Sequence, residues 1–217
     1  TVFIHHNDPE EFRESVVALG YPEAAYAIDK RPHDLNTRKS NFGEILASEY
    51  LRQCEGYQIP VYRLRYNPNP ESPMKGDDVL AFKFGEPDGR GREVLVGEAK
   101  VRSRFAAKVV REAYDQLENG HRPRPKSIPF VVTILRREGR DDEADQVLAF
   151  LNKFSLHQPI RRHMIFLVTG NKPRDPFRCI QERETIIDNL TACNVCIPDL
   201  DDFVNALFDC EVETSGT

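Results

Sequence analysis

Two alternating stretches joined by a tight glycine turn constrain this chain more than any other feature. Asp78 to Phe84 alternates and reads as a strand. Pro87-Asp88-Gly89-Arg90-Gly91 reads as a hairpin turn, and Glu93 to Val101 as the returning strand. Residues two apart on a strand face the same side. Glu98 and Lys100 therefore project together, sharing a face with Val94 and Val96, so the strand runs from an apolar floor into a charged end. A carboxylate and an amine in such a position are costly unless they pair or bind something. The hairpin brings Asp78 alongside, and two carboxylates on adjacent strands repel each other unless a hard divalent cation lies between them. Mg²⁺ needs only one or two protein carboxylates, keeping water and phosphate oxygens as its other ligands. Asp77 has the opposite parity, so Asp78 is the expected metal-side residue. The tripeptide Glu98-Ala99-Lys100 alone could be a solvated ion pair worth little. Its context strengthens it: Gly76 before the Asp, a glycine turn between the strands, and a basic helix straight after.

Around this hairpin the chain reads as α/β. Asp8-Pro9 starts a helix that Gly20 closes. Asn41 caps a second helix ending near Gly56, with Phe42, Ile45, Leu46 and Tyr50 apolar. Tyr62, Leu64 and Tyr66 alternate, which predicts a strand over 57–66, and a loop follows to residue 76. A helix is expected over 103–119. His121 to Lys126 reads as a stiff basic linker. Residues 127–138 carry both strand and helix signals, and the spacing of Ile128, Val131, Ile134 and Leu135 favours a helix. Further elements are a helix over 142–154, a strand over 163–169, a helix over 178–190, a strand over 194–197 and a final helix from Asp199 to Phe208.

These residues resemble the PD-(D/E)XK nuclease superfamily, whose core is helix, three-stranded meander, helix and strand. Asn41-Phe42-Gly43-Glu44, Gly76-x-Asp78 and Glu98-x-Lys100 look most like the HamA family, nuclease subunits of the Hachiman anti-phage defence system. The resemblance covers about residues 40 to 210. It implies a restriction-endonuclease-like core with a mixed central sheet flanked by helices. Residues 1–40 would be an N-terminal helical and turn segment, 41–217 the nuclease domain, and 127–155 a helical insertion. It implies Asp78 and Glu98 as ligands of Mg²⁺ or Mn²⁺, Lys100 as the catalytic lysine, and Glu44 as an accessory acid. It also implies a HamB-like helicase partner, which nothing in composition or spacing indicates.

The remaining features bear on substrate and setting. Arg104, Lys108 and Arg111 recur at i, i+4 and i+7 and are expected to form a stripe for a DNA backbone; an ordinary solvated face is the alternative. Gln116 lies on the same expected helix, where some members of the superfamily that the chain resembles place a Gln near the metal, a role not favoured for it; His121, His157 and His163 show no ligand spacing and read as structural or surface residues. The net charge is −5, so only a local basic face opposes an acidic whole. The acidic runs at 141–145 and at Asp199, Asp201, Asp202 and Asp209 are candidate partner-docking faces. Five cysteines do not suggest a disulfide framework, and a reducing cytoplasm is expected. Cys193-x-x-Cys196 could be half a zinc site, but buried thiols are the favoured reading. No apolar run suits a membrane span, and no signal peptide opens the chain. The start at Thr1, without Met, is expected of a fragment or processed form. No GxGxxG, GxxxxGK[ST] or GxSxG occurs, which argues against nucleotide-binding and serine-hydrolase folds. The competing reading is a catalytically silent, nuclease-like domain that binds a partner or nucleic acid.

Overall fold

The computed structural model describes residues 31–209 apart from 68, 73, 121–124, 126, 153, 154 and 156, together with Ala18. The expected helix over 9–20, Cys210 and most of the basic linker lie outside the described residues. In chain order the elements are α1 (Leu35–Cys54), β1 (Val79–Lys83), β2 (Glu93–Arg102), α2 (Ala107–Gly120), α3 (Ile128–Arg137), α4 (Asp141–Leu148), β3 (Ile160–Thr169), α5 (Arg178–Gln181), β4 (Leu190–Cys196) and α6 (Leu200–Asp209). Short 3₁₀ turns add Arg63–Tyr66 and Ala149–Leu151.

The hairpin forms as its alternation requires. β1 and β2 pair antiparallel, Val79 opposite Gly97 and Lys83 opposite Glu93. β3 lies parallel to β2, and β4 parallel to β3, so the sheet is mixed and ordered β1-β2-β3-β4. Both sheet faces are covered. Leu80, Phe82, Val94, Val96, Ile165 and Leu167 pack under α2, α3 and α4. Val79, Ala81, Leu95, Ala99, Val101 and Phe166 pack against α1 and α6. That two-sided cover explains why Val94, Leu95 and Val96 are all buried. Among the described residues no helix is long and apolar enough to cross a membrane.

The expected strand over 57–66 does not form. Only Gln58 bridges to Phe82, and Arg63–Tyr66 turns as a 3₁₀ helix. Pro60 lacks the N–H that a ladder needs. The alternating tyrosines answer to separate contacts instead. Tyr62 donates its hydroxyl to Glu49 at 2.8 Å, and Tyr66 packs edge-on against Phe130.

Other boundaries move for local reasons. α1 is capped by Asp34, whose Oδ2 accepts the Thr37 N–H at 2.9 Å, so Asn41 is buried inside the helix rather than capping it. The helix therefore runs across the expected boundary between residues 40 and 41. The ambiguous stretch after Pro125 is helical, with Ile128, Val131, Ile134 and Leu135 all buried. α2 begins at Ala107, not Ser103, because residues 103–106 are tied to the loop after β3. Over 178–190 only Arg178–Gln181 is helical. Tyr114 holds the rest open, accepting the Ile187 N–H at 3.1 Å and donating to Thr185 O at 3.2 Å.

Candidate active site

β1 begins only at Val79, while the antiparallel β2 runs on past it to Arg102. The site lies where the ladder ends. The register that sets Val79 opposite Gly97 carries Asp78 to Glu98. Asp78 Oδ2 accepts the Ala99 N–H at 3.0 Å, taking the role a further strand carbonyl would have filled. Lys100, next but one to Glu98 on β2, places its Nζ 3.2 Å from Glu98 Oε2. Glu98 is 5% exposed, so this pair is largely withdrawn from water.

Glu44 comes from the opposite layer. Gly43 makes this possible: a Cβ there would sit 2.6 Å from Val101 Cγ2, so only glycine lets α1 lie this close to β2. The next residue, Glu44, is then carried into the cleft at the edge of β1, lined also by Ser48, Arg63 and Asp78.

The electrostatics follow from this crowding. Burial, then the Glu98 charge, pushes the Asp78 carboxyl up to about 7, against the pull of Lys100 and the Ala99 N–H. Burial, then the Asp78 charge, holds Glu44 well above the usual carboxylate range; Arg63 and Lys100 oppose the shift. Each buried acid raises its neighbour's cost of ionising.

Asp77 does something different. It is fully buried and bonded to Ser127. Its Oδ2 accepts the Ser127 N–H at 2.8 Å, and its own N–H donates to Ser127 Oγ at 3.0 Å. Gly76 makes the bend just before these two aspartates, at φ 126°. A Cβ there would meet Ser127 Oγ at 2.9 Å and Arg63 Nη2 at 3.0 Å.

Arg63 is the site residue that sequence reasoning missed. It is buried, donates to Lys75 O at 2.8 Å, and sits near Glu44. The only signal was an arginine amid apolar alternation, and reading that stretch as a strand concealed it. Arg104, Lys108 and Arg111 are all exposed, but Arg104 precedes α2, so they do not form one helical stripe. Gln116 is exposed on α2. His157 is exposed, and His163 Nδ1 lies 3.1 Å from Asp188 O. The four described cysteines are not buried as expected: Cys54 and Cys196 are exposed and Cys179 and Cys193 half-buried. Burial nonetheless pushes the Cys193 thiol up to about 11. Much of the acidic surface has internal partners. Asp201 pairs with Lys39, Asp209 with Arg38, and Asp141 and Asp145 with Arg136.

Among the described residues no group of three or more His, Cys, Asp or Glu side chains converges tightly enough to share one ion. A hard cation such as Mg²⁺ needs fewer protein ligands than that. The all-oxygen pair Asp78 and Glu98, each burdened by the other's charge, suits such an ion.

The HamA family model matches residues 2–209. The chain belongs to the HamA family. One relative is the Hachiman protein HamA of Bacillus cereus, 36% identical over 154 residues, or 71% of this chain and 54% of that protein. The HamA-family chain described here thus spans about half the length of that relative.

Proposed function

We propose that this chain is a metal-dependent nuclease that hydrolyses phosphodiester bonds, with DNA as substrate, as the effector subunit of an anti-phage defence complex. One observation carries the reading: Asp78 and Glu98 converge across the end of an antiparallel ladder with Lys100 beside them. A buried and a half-buried carboxylate with a lysine, brought together at one end of the sheet, suit metal-assisted phosphoryl chemistry. The defence role rests on HamA membership and on the relative named as a Hachiman protein.

Asp78 and Glu98 would hold Mg²⁺ or Mn²⁺, which when bound acidifies water and polarises a phosphate. Lys100 Nζ, restrained by Glu98 Oε2, orients the attacking water and offsets charge growing on the phosphate oxygens. Glu44, whose carboxyl burial holds well above the ordinary range, serves as an accessory acid on the helix side. The Arg63 guanidinium, in the same cleft, opposes the rise of the Glu44 pKa. A helicase subunit that senses aberrant DNA and delivers it to the site is the expected partner.

The test is cleavage of plasmid DNA in Mg²⁺ or Mn²⁺, by the chain alone and with its helicase. Glu98→Gln and Lys100→Ala should each lower cleavage at least about 100-fold, the scale of losing one transition-state contact, with the fold intact by circular dichroism. Intact DNA under every condition, or undiminished cutting by Lys100→Ala, would reject the reading and favour a silent binding domain.

A further inference from the structure

Past Lys100 the sheet face continues outward. Arg102 has the same parity as Glu98 and Lys100, about 6–7 Å further along β2, and is exposed. Arg104 follows in the loop to α2, also exposed. β3 is parallel to β2, so the loop after β3 leaves the same end of the sheet, with Thr169 paired to Arg102. That second loop is Gly170-Asn171-Lys172-Pro173-Arg174, with Lys172 and Arg174 exposed.

The two loops are clamped together. The Gly170 N–H donates to Arg102 O at 3.0 Å, and the Phe105 N–H donates to Asn171 Oδ1 at 2.7 Å. A Cβ on Gly170 would lie 2.5 Å from Ser103 O, so the backbones touch there. Ser103 is anchored in turn, donating its hydroxyl to Asp201 Oδ1 at 2.6 Å while Lys39 Nζ donates to both. Among the described residues, Arg102, Arg104, Lys172 and Arg174 form no ion pair. Of the carboxylates close by, Asp201 is paired with Lys39 and Glu112 with Lys108; Asp175 follows Arg174 and is exposed. Four cations without ion pairs, one at the end of β2 and three in the two braced loops beyond it, suit an extended polyanion; Arg102 also donates Nη1 to Val101 O at 2.8 Å, which fixes part of its guanidinium.

We propose that Arg102, Arg104, Lys172 and Arg174 form one phosphate-binding ledge, built from the two clamped loops, that holds the nucleic-acid strand leading to Lys100. The ledge rests on the nuclease reading for its purpose, but its binding can be measured without cleavage. The full chain is titrated with fluorescent single- and double-stranded oligonucleotides in EDTA, across a salt series. Lys172→Glu/Arg174→Glu should weaken binding at least tenfold. It should also flatten the log–log salt dependence by about 1.8, or about 0.9 per phosphate contact. Asn171→Ala, which unclamps the loops without changing charge, should weaken binding severalfold. Arg90→Glu, in the hairpin at the other end of the sheet, is the control and should change affinity less than twofold. Equal effects of Arg90→Glu and the double variant would overturn the ledge. So would no binding by the wild-type chain at low salt, or an unchanged salt slope in the double variant. Loss of cleavage in Glu98→Gln with binding intact separates failure of the site from failure of the ledge.

Discussion

Asp77 and Ser127 grip each other twice across 50 residues of sequence, each offering a backbone N–H to the other's side chain. The bond pair pins the start of α3 to the start of β1. Asp77→Ala leaves the Ser127 N–H buried without its acceptor, which costs about 1–3 kcal/mol. The expected outcome is a lower urea midpoint, with the fraction that stays folded retaining cleavage. A variant as stable as wild type would show that the clamp contributes nothing.

Asp78 should behave in the opposite way. Its folded-state pKa, about 7, lies above the ordinary 3.8, so the folded protein holds a proton that the unfolded chain releases. The penalty is absent below the unfolded value, grows as pH rises between the two, and is complete above about 7. In EDTA, wild-type thermal stability should therefore fall as pH rises through that window. Asp78→Asn, which keeps an acceptor for the Ala99 N–H, should be more stable than wild type above pH 7, on the order of 2 kcal/mol. Glu44→Gln should shift the same way. Parallel pH curves for Asp78→Asn and wild type would contradict the assignment.

Gly43→Ala tests whether the α1–β2 approach sets the site. The added methyl meets Val101 at 2.6 Å, an overpacking that costs about 1–3 kcal/mol. The helix must back away, taking Glu44 with it. Cleavage should drop by more than the loss of folded protein accounts for. Gly43→Ala/Val101→Ala should recover much of both. Failure of that rescue would place the defect elsewhere.

An acidic chain with one basic surface should bind DNA weakly unaided. The expected result is slow, salt-sensitive cutting by the chain alone and faster cutting when its helicase is added, in the same metal and salt. Strong cutting by the chain alone, unchanged by the helicase, would leave a free-standing nuclease. Because Asp141, Asp145, Asp201 and Asp209 already have internal partners, their acidic runs are weaker docking candidates than their charge suggests.

The hairpin was legible because period-two alternation, a glycine turn and a polar strand end all agree on one register, and that register fixes the parity of Asp77 and Asp78. α3 was legible from its four apolar positions despite its β-branched residues. What misled was alternation arising from unrelated contacts: Tyr62 answers to Glu49 and Tyr66 to Phe130, and no strand joins them. Arg63 and the loop after β3 could not be found locally. Both reach their positions through chain crossings that leave no trace in neighbouring residues. α1 starts well before Asn41 because Asp34 is its cap.

The Ala99 N–H donates to a side chain where a strand would normally pair with it. In a regular sheet an amide at this position answers to another strand and stays shut until the sheet opens. Here it answers to the Asp78 carboxylate, a side chain whose charge varies with its surroundings. Its exchange with deuterium should therefore follow the state of that carboxylate, quickening when Asp78 is drawn elsewhere and slowing when it returns. One backbone proton becomes a built-in gauge of the site, readable by NMR without any substrate being cut.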